Sequence, residues 1–351
     1  MMNTTMNIWQ VAAGDGTRDY AANIFLEFGI MLIGPGGRGD YRKNQSAYSD
    51  PHGRFVRAFE GEAKKGELVV LKKRAGGSQC EIVAVGEIAS DYLFKDVFGD
   101  VDGFWLQHCR RVKWKRPAKG TRKLAPGFGQ RSPRFSRVHN AQARDAIERV
   151  WKNGVACEPI RRIPRRPRVI SEDQLSASLR ATGLASKAAK HIADTIAHLR
   201  EVANWYEDQE DYGDVGEHET RTLLIVPLIM SLGWAEKNVK IEWHHTDVAL
   251  FDAPYPEQTA PVVIIESKQL WHGLGDVQEQ AKSYAKEYPR CDRLVVSDGI
   301  RYKLFTKPKR GRKFVLSACM NLLALTRKHP YERGVKGAPF FLRKLMPKVG
   351  I

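Results

Sequence analysis

Three side chains in the last third of the chain are of the types that could together hydrolyse a phosphodiester. Asp247 lies in Thr246-Asp247-Val248-Ala249-Leu250-Phe251, and Glu266 and Lys268 close the run Pro261-Val262-Val263-Ile264-Ile265-Glu266-Ser267-Lys268. Both segments read as strands. The second is almost continuously apolar, as a central strand covered on both faces should be. Side chains alternate along a strand, so Glu266 and Lys268 share a face. If the two strands pair, two carboxylates and an ammonium converge at one sheet edge. Carboxylate oxygens suit Mg2+ or Mn2+. Such a cation polarises phosphate and lowers the pKa of a bound water, while a lysine orients that water or steadies charge building on phosphorus. Charged groups on an otherwise apolar strand are expensive to bury without such a partner.

The elements that must position these groups begin near Tyr212. Glu217 to Leu232 reads as an amphipathic helix stopped by Gly233, followed by strands at Lys240–Trp243 and Thr246–Phe251. Turn residues fill 253–260. Beyond the Pro261–Glu266 strand come a helix over Gly275–Tyr288 and strands at Arg293–Ser297 and Tyr302–Phe305. This order predicts a mixed central sheet flanked by helices, an α/β domain over 212–351. Ahead of it, 171–211 reads as a helical connector. Ser171 with Gln174 three residues on has the form of a capping box, and Ile192, Ile196 and Leu199 repeat at helical spacing, the pattern of plain packing.

In this arrangement the region resembles the PD-(D/E)xK nuclease superfamily, and within it the N-terminal nuclease domain of type I restriction motor subunits, a restriction-endonuclease-like fold. The likeness spans roughly 214–310. It rests on Glu217-His218-Glu219-Thr220-Arg221 with Pro227-Leu228 and Leu232-Gly233-Trp234, on the two strands above, on Gln280 and Tyr284 spaced as Q-x-x-x-Y, and on Ser297-Asp298-Gly299 before Tyr302-Lys303-Leu304-Phe305. The resemblance implies that Asp247 and Glu266 ligate the metal, that Lys268 assists the nucleophile and that Glu219 holds metal through water or braces the site. Gln280 and Tyr284 would position the phosphate or the lysine. Thr246 stands where the family has Pro, and no G-x-x-x-x-G-K-[ST] occurs, so a translocating motor is not implied.

Charge is distributed unevenly. Between Arg110 and Ile170, 19 Lys or Arg stand against Asp145, Glu148 and Glu158, so this stretch carries +16 of the +17 total and the other 290 residues about +1. A basic block of this kind contacts polyanions, because neutralising phosphates releases condensed counterions. Residues 117–170 read as a basic Pro/Gly-rich linker with one helix at Val138–Trp151, and Arg161, Arg162, Arg165, Arg166 and Arg168 are its candidate backbone contacts.

Residues 1–116 read as a small β-rich domain. Strands are expected at Ile8–Ala12, Gly29–Gly34, Glu67–Lys72, Glu81–Ile88 and Arg110–Trp114, and a short helix at Tyr20–Phe28. Trp9-Gln10-Val11-Ala12, Gly29-Ile30, Lys65 to Leu71 and Ile82 to Ile88 resemble the EVE branch of the PUA-like folds. That likeness implies a reader of modified bases flipped from the duplex. Candidate walls are Trp9, Tyr20, Trp105 and Trp114, and candidate edge or phosphate contacts are Asp15, Arg18 and Asp19. Gly34-Pro35-Gly36-Gly37 lacks the Lys-Ser/Thr of a phosphate loop and reads as a turn.

A hydrophobic fraction of 42% supports real cores, and no apolar run reaches the roughly 18 residues of a membrane span. Five scattered cysteines without a C-x-x-C pair indicate neither a zinc ribbon nor a disulfide framework, and with no visible secretion signal a cytoplasmic setting is expected. Pairing a base reader with a nuclease implies a modification-dependent DNA endonuclease of restriction type acting in phage defence. The superfamily resemblance further implies a homodimer. An RNA-directed nuclease and a non-catalytic binder with a degenerate nuclease fold stay open as alternatives.

Overall fold

The computed structural model describes residues 6–12, 14, 21–74, 80–120, 124–125, 128, 135–208, 215–270, 274, 283, 287–308 and 313–348. The chain forms two compact units, Met1–Pro164 and Arg165–Ile351, each a mixed sheet with helices. No helix among the described residues is long and apolar enough to cross a membrane.

In the first unit, strands β1 (Ile8–Ala12), β2 (Ile30–Ile33), β3 (Leu68–Arg74), β4 (Cys80–Ile88), β5 (Leu93–Phe94), β6 (His108–Arg116), β7 (Leu124–Ala125), β8 (Phe135–Arg137) and β9 (Val155–Cys157) form one sheet. Its path is β2-β6-β4-β3-β1-β8, with β5 and β9 on β6 and β7 on β4. Only the β1–β3 pair is parallel. The helix Ala22–Phe28 ends where Gly29 takes a left-handed φ of 61°, close under Pro159.

The described residues of the expected linker up to Pro164 are instead built into this unit, and 165–170 belong to the second. The helix Ala141–Asn153, capped by the Asn140 side chain on the Ala143 N–H, buries Ala143, Ile147 and Val150 against Ile8, Leu68, Ile82 and Val85. β8 pairs with β1, and β9 with β6. An apolar stripe every three to four residues, submerged among many basic residues, is enough to fix this segment to the sheet.

In the second unit, β10 (Val239–Trp243), β11 (Thr246–Leu250), β12 (Val263–Ser267), β13 (Arg293–Ser297), β14 (Arg301–Thr306) and β15 (Val315–Asn321) pair in that order. β12 and β13 are parallel and the other neighbours antiparallel. The expected connector belongs to this core: Leu175, Leu179, Ile192, Ile196 and Leu199, from helices Glu172–Arg180 and Ser186–Asp208, pack in one cluster with Val248, Leu250, Ile265 and Val295. Ser171 and Gln174 form the capping box. β15 and the helix Ala338–Leu345 extend the unit beyond the elements read from sequence. The expected helix over Gly275–Tyr288 falls almost wholly outside the described residues.

The helical segment 217–231 lies against the β13–β14 turn. Gly299 there has φ 81°, and a Cβ on it would come within 2.7 Å of Leu224 and 2.8 Å of Thr220. Tyr302 Oη donates to the Leu224 carbonyl at 3.3 Å. This contact sets the height of Glu217 and Arg221 above the sheet. Gly299→Ala forces both a left-handed alanine and a clash, and is expected to destabilise the protein by about 2 kcal/mol or more. Urea denaturation of the variant beside wild type measures this, and equal midpoints would show that the turn does not hold the helix.

Candidate functional site

β11 and β12 run side by side, and their register, Val248 opposite Ile265 and Leu250 opposite Val263, carries Asp247 across from Glu266. Glu266 is 2% exposed. Its Oε1 is buried with no hydrogen-bond partner among the described residues. Loss of hydration, then the negative charges of Asp247 and Glu217, push its carboxyl up to about 8, against the pull of Lys268 and of the Asp247 backbone N–H.

Asp247 is tightly held. Its Oδ2 accepts from the Ser267 backbone N–H at 2.6 Å and from the Ser267 hydroxyl at 2.9 Å, and its Oδ1 accepts from Arg221 at 2.7 Å. Lys268 follows β12, its N–H bonded to the Ser297 carbonyl at 2.8 Å, and its Nζ lies 3.7 Å from Glu217 Oε1. The sheet therefore brings Asp247, Glu266 and Lys268 together as the strand pattern requires. Among the described residues, no ready-made group of three or more His, Cys, Asp or Glu side chains stands at metal-holding separation.

The helix contributes a different acid from the one expected. Glu219 accepts a hydrogen bond from Tyr206 Oη at 2.5 Å. Glu217 and Arg221, one turn apart, face Lys268 and Asp247 instead. At 3.6 residues per turn, position 219 sits about 200° round the helix from 217, which turns it off the site. Glu217, and not Glu219, is the acid of this helix that faces Lys268. Just beyond, Val226 donates to the Arg221 carbonyl in a single π turn over Arg221–Ile225, ahead of Pro227, which has no N–H to offer.

Two residues enter that sequence reasoning did not select. Arg221, 5% exposed, links Asp247 to Glu242 Oε1 at 2.9 Å and reaches Ser267 Oγ at 3.3 Å. Glu242 and His244 have φ of 54° and 53°, a left-handed backbone rare outside glycine, and His218 Nδ1 lies 3.0 Å from Glu242. The i, i+4 spacing of Glu217 and Arg221 was visible in the sequence; the twist at Glu242 had no signal. Gln280 and Tyr284 lie outside the described residues.

In the first unit, the proposed slot changes character. Trp9 is a core residue, stacked on Phe135 at 4.8 Å with its indole N–H on Glu67 at 2.7 Å. Trp114 is equally buried, donating to the Ile30 carbonyl at 3.0 Å. Neither can wall an open pocket, because strand alternation turns both into the interior. Trp105 is 41% exposed, and the lack of a side chain at Gly37 lets the loop lie against the indole. Asp15, Arg18, Asp19 and Tyr20 lie outside the described residues. Behind the 34–40 loop runs a buried polar chain: His108 Nε2 lies 2.9 Å from the Pro35 carbonyl, and Nδ1 lies 2.8 Å from Tyr92 Oη, which donates to Asp40 at 3.0 Å. Burial pushes His108 down to about 4, so near pH 7 it is a neutral ring with one N–H, and while Tyr92 donates to Asp40 that N–H goes to Tyr92. Of the basic contacts, Arg161 pairs with Glu27 at 3.2 Å, and Arg162, Arg165, Arg166 and Arg168 are exposed.

Residues 9–125 match the family model of a domain of unknown function, DUF8426. No curated protein and no solved structure matches the chain.

The raised Glu266 value has a direct consequence for stability. A carboxyl whose folded value lies above its ordinary 4.5 keeps a proton that the unfolded chain releases. Stability should therefore fall as pH rises from about 4.5 through about 8. Urea melts at pH 5 and pH 9 in a chelator should show wild type losing on the order of 2–4 kcal/mol more than Glu266→Gln. Parallel losses in the two proteins would contradict a buried, protonated Glu266.

Proposed function

We propose that the second unit is a Mg2+- or Mn2+-dependent nuclease of PD-(D/E)xK type, and that the whole chain is a modification-dependent DNA endonuclease whose first unit reads an altered base. The observation that carries this reading is the buried, unpartnered Oε1 of Glu266 beside the Asp247 carboxylate. An orphan oxygen with a second carboxylate opposite is a donor set that suits a hard divalent cation. The charge count agrees. Glu217, Glu242, Asp247 and Glu266, when ionised, stand against Arg221 and Lys268, leaving two negative charges in excess.

Asp247 and Glu266 would hold the cation, with Glu217 facing the same space. Bound there, it would supply Lewis acidity to a phosphate oxygen and a more acidic water. Lys268 would offer its ammonium to the charge that develops on phosphorus, tethered meanwhile by Glu217. Ser267 orients Asp247 through two hydrogen bonds. The exposed arginines at 162, 165, 166 and 168 would bind backbone phosphates without reading sequence. Trp105, 41% exposed, would meet a flipped base through stacking.

One observation favours a non-catalytic nucleic-acid binder instead: both oxygens of Asp247 are already engaged by Arg221 and Ser267. Cleavage settles the choice. Incubation with Mg2+ and plain, methylated, hydroxymethylated and glucosylated DNAs, with RNA of matched sequence as a further arm, should give cutting of a modified DNA. Lys268→Ala should lower that cutting at least ~100-fold while DNA affinity stays within about twofold. Undiminished cutting by Lys268→Ala would remove the site, cutting confined to RNA would move the substrate, and no cutting with any substrate would leave the binder.

A further inference from the structure

The charged network around Arg221 goes further than the cleavage site itself. A guanidinium is always protonated, and this one is 5% exposed, so it must be matched by acids wherever it sits. It is matched by the residues of the proposed cation site. One arm bonds Asp247 Oδ1 at 2.7 Å and another bonds Glu242 at 2.9 Å, with Glu217 3.9 Å away. Without a bound cation, Arg221 supplies the positive charge that Asp247 lacks. A divalent ion on the same carboxylate would face that charge at close range, where it is poorly screened.

Glu242 is shaped to share the load. Its left-handed φ of 54° interrupts the β10–β11 ladder, which pairs Ile241 with Val248 and Trp243 with Thr246. Such a backbone in a non-glycine residue is strained and persists where surrounding contacts hold it. Here the carboxylate it directs is anchored on Arg221 and His218.

Resting on the cation-site reading above, we infer that Arg221 is an internal counter-cation that competes with the divalent ion for Asp247, and that Glu242 weakens this competition by drawing part of the guanidinium away. Arg221 is thus a positioning residue that sets the ion concentration at which the site fills.

Isothermal titration of the full chain with Mn2+, without nucleic acid, tests this. Arg221→Gln should bind Mn2+ about tenfold tighter than wild type or better, and Arg221→Lys, which keeps the charge, should return the affinity toward wild type. Glu242→Gln, at an exposed side chain, should bind more weakly, and this loss should vanish in the Arg221→Gln background. Unchanged or weaker binding by folded Arg221→Gln overturns the inference. If Arg221→Gln does not fold, an unchanged or tightened Glu242→Gln overturns it. Wild type that binds Mn2+ in an Asp247- and Glu266-dependent way while Arg221→Gln is silent removes this inference alone. Wild type that binds no Mn2+ removes the site reading with it.

Discussion

A carboxyl group sealed inside a sheet with one oxygen unbonded is the constraint around which the second unit is arranged. Glu266 sits at the end of a strand whose preceding residues, Val263, Ile264 and Ile265, are all buried, so the chain cannot turn it to water without unpicking β12 from β11 and β13. Its neighbour across the ladder is another acid. Burial first, and then repulsion between two carboxylates so placed, raises the proton affinity of Glu266, while a guanidinium meets Asp247. Everything near the pair serves that balance: Ser267 donates twice to Asp247, Lys268 leans on Glu217, and the π turn places Arg221 between two acids.

Much of the framework was legible because it depends on local periodicity. The strand pair bearing Asp247 and Glu266, the parallel partner Arg293–Ser297 and the capping box at Ser171 follow from alternation, apolar runs and short-range hydrogen bonding. Where the reading departs from the fold, the cause is packing between distant segments. The basic stretch after Arg116 looks like a linker by composition, yet three apolar residues of the helix Ala141–Asn153 suffice to bind it to strands more than fifty residues earlier. Composition registers charge, and it does not register which few side chains face inward.

At the site the same division holds. Strand alternation put Glu266 and Lys268 on one face, and the pairing of the two strands brings Asp247 beside them. The family pattern marks the helix without marking its rotation against the sheet, where Gly299 and Tyr302 lie beneath Thr220 and Leu224 and Glu217 rather than Glu219 faces Lys268. Arg221 was invisible as a site residue because a buried arginine announces itself only through its partners. In the first unit the tryptophans drew attention by size, but it is position on strands β1 and β6 that places Trp9 and Trp114 in the core, while Trp105, outside a strand, is exposed.

In the function we propose, Asp247 and Glu266 together hold a divalent cation. Diffraction from crystals soaked in Mn2+, with data collected at the manganese absorption edge, bears on it most directly. An anomalous peak bonded to carboxylate oxygens of both residues is expected, with Arg221 drawn off Asp247 toward Glu242. A map with no peak between them, and the Arg221–Asp247 pair intact at saturating Mn2+, would contradict it.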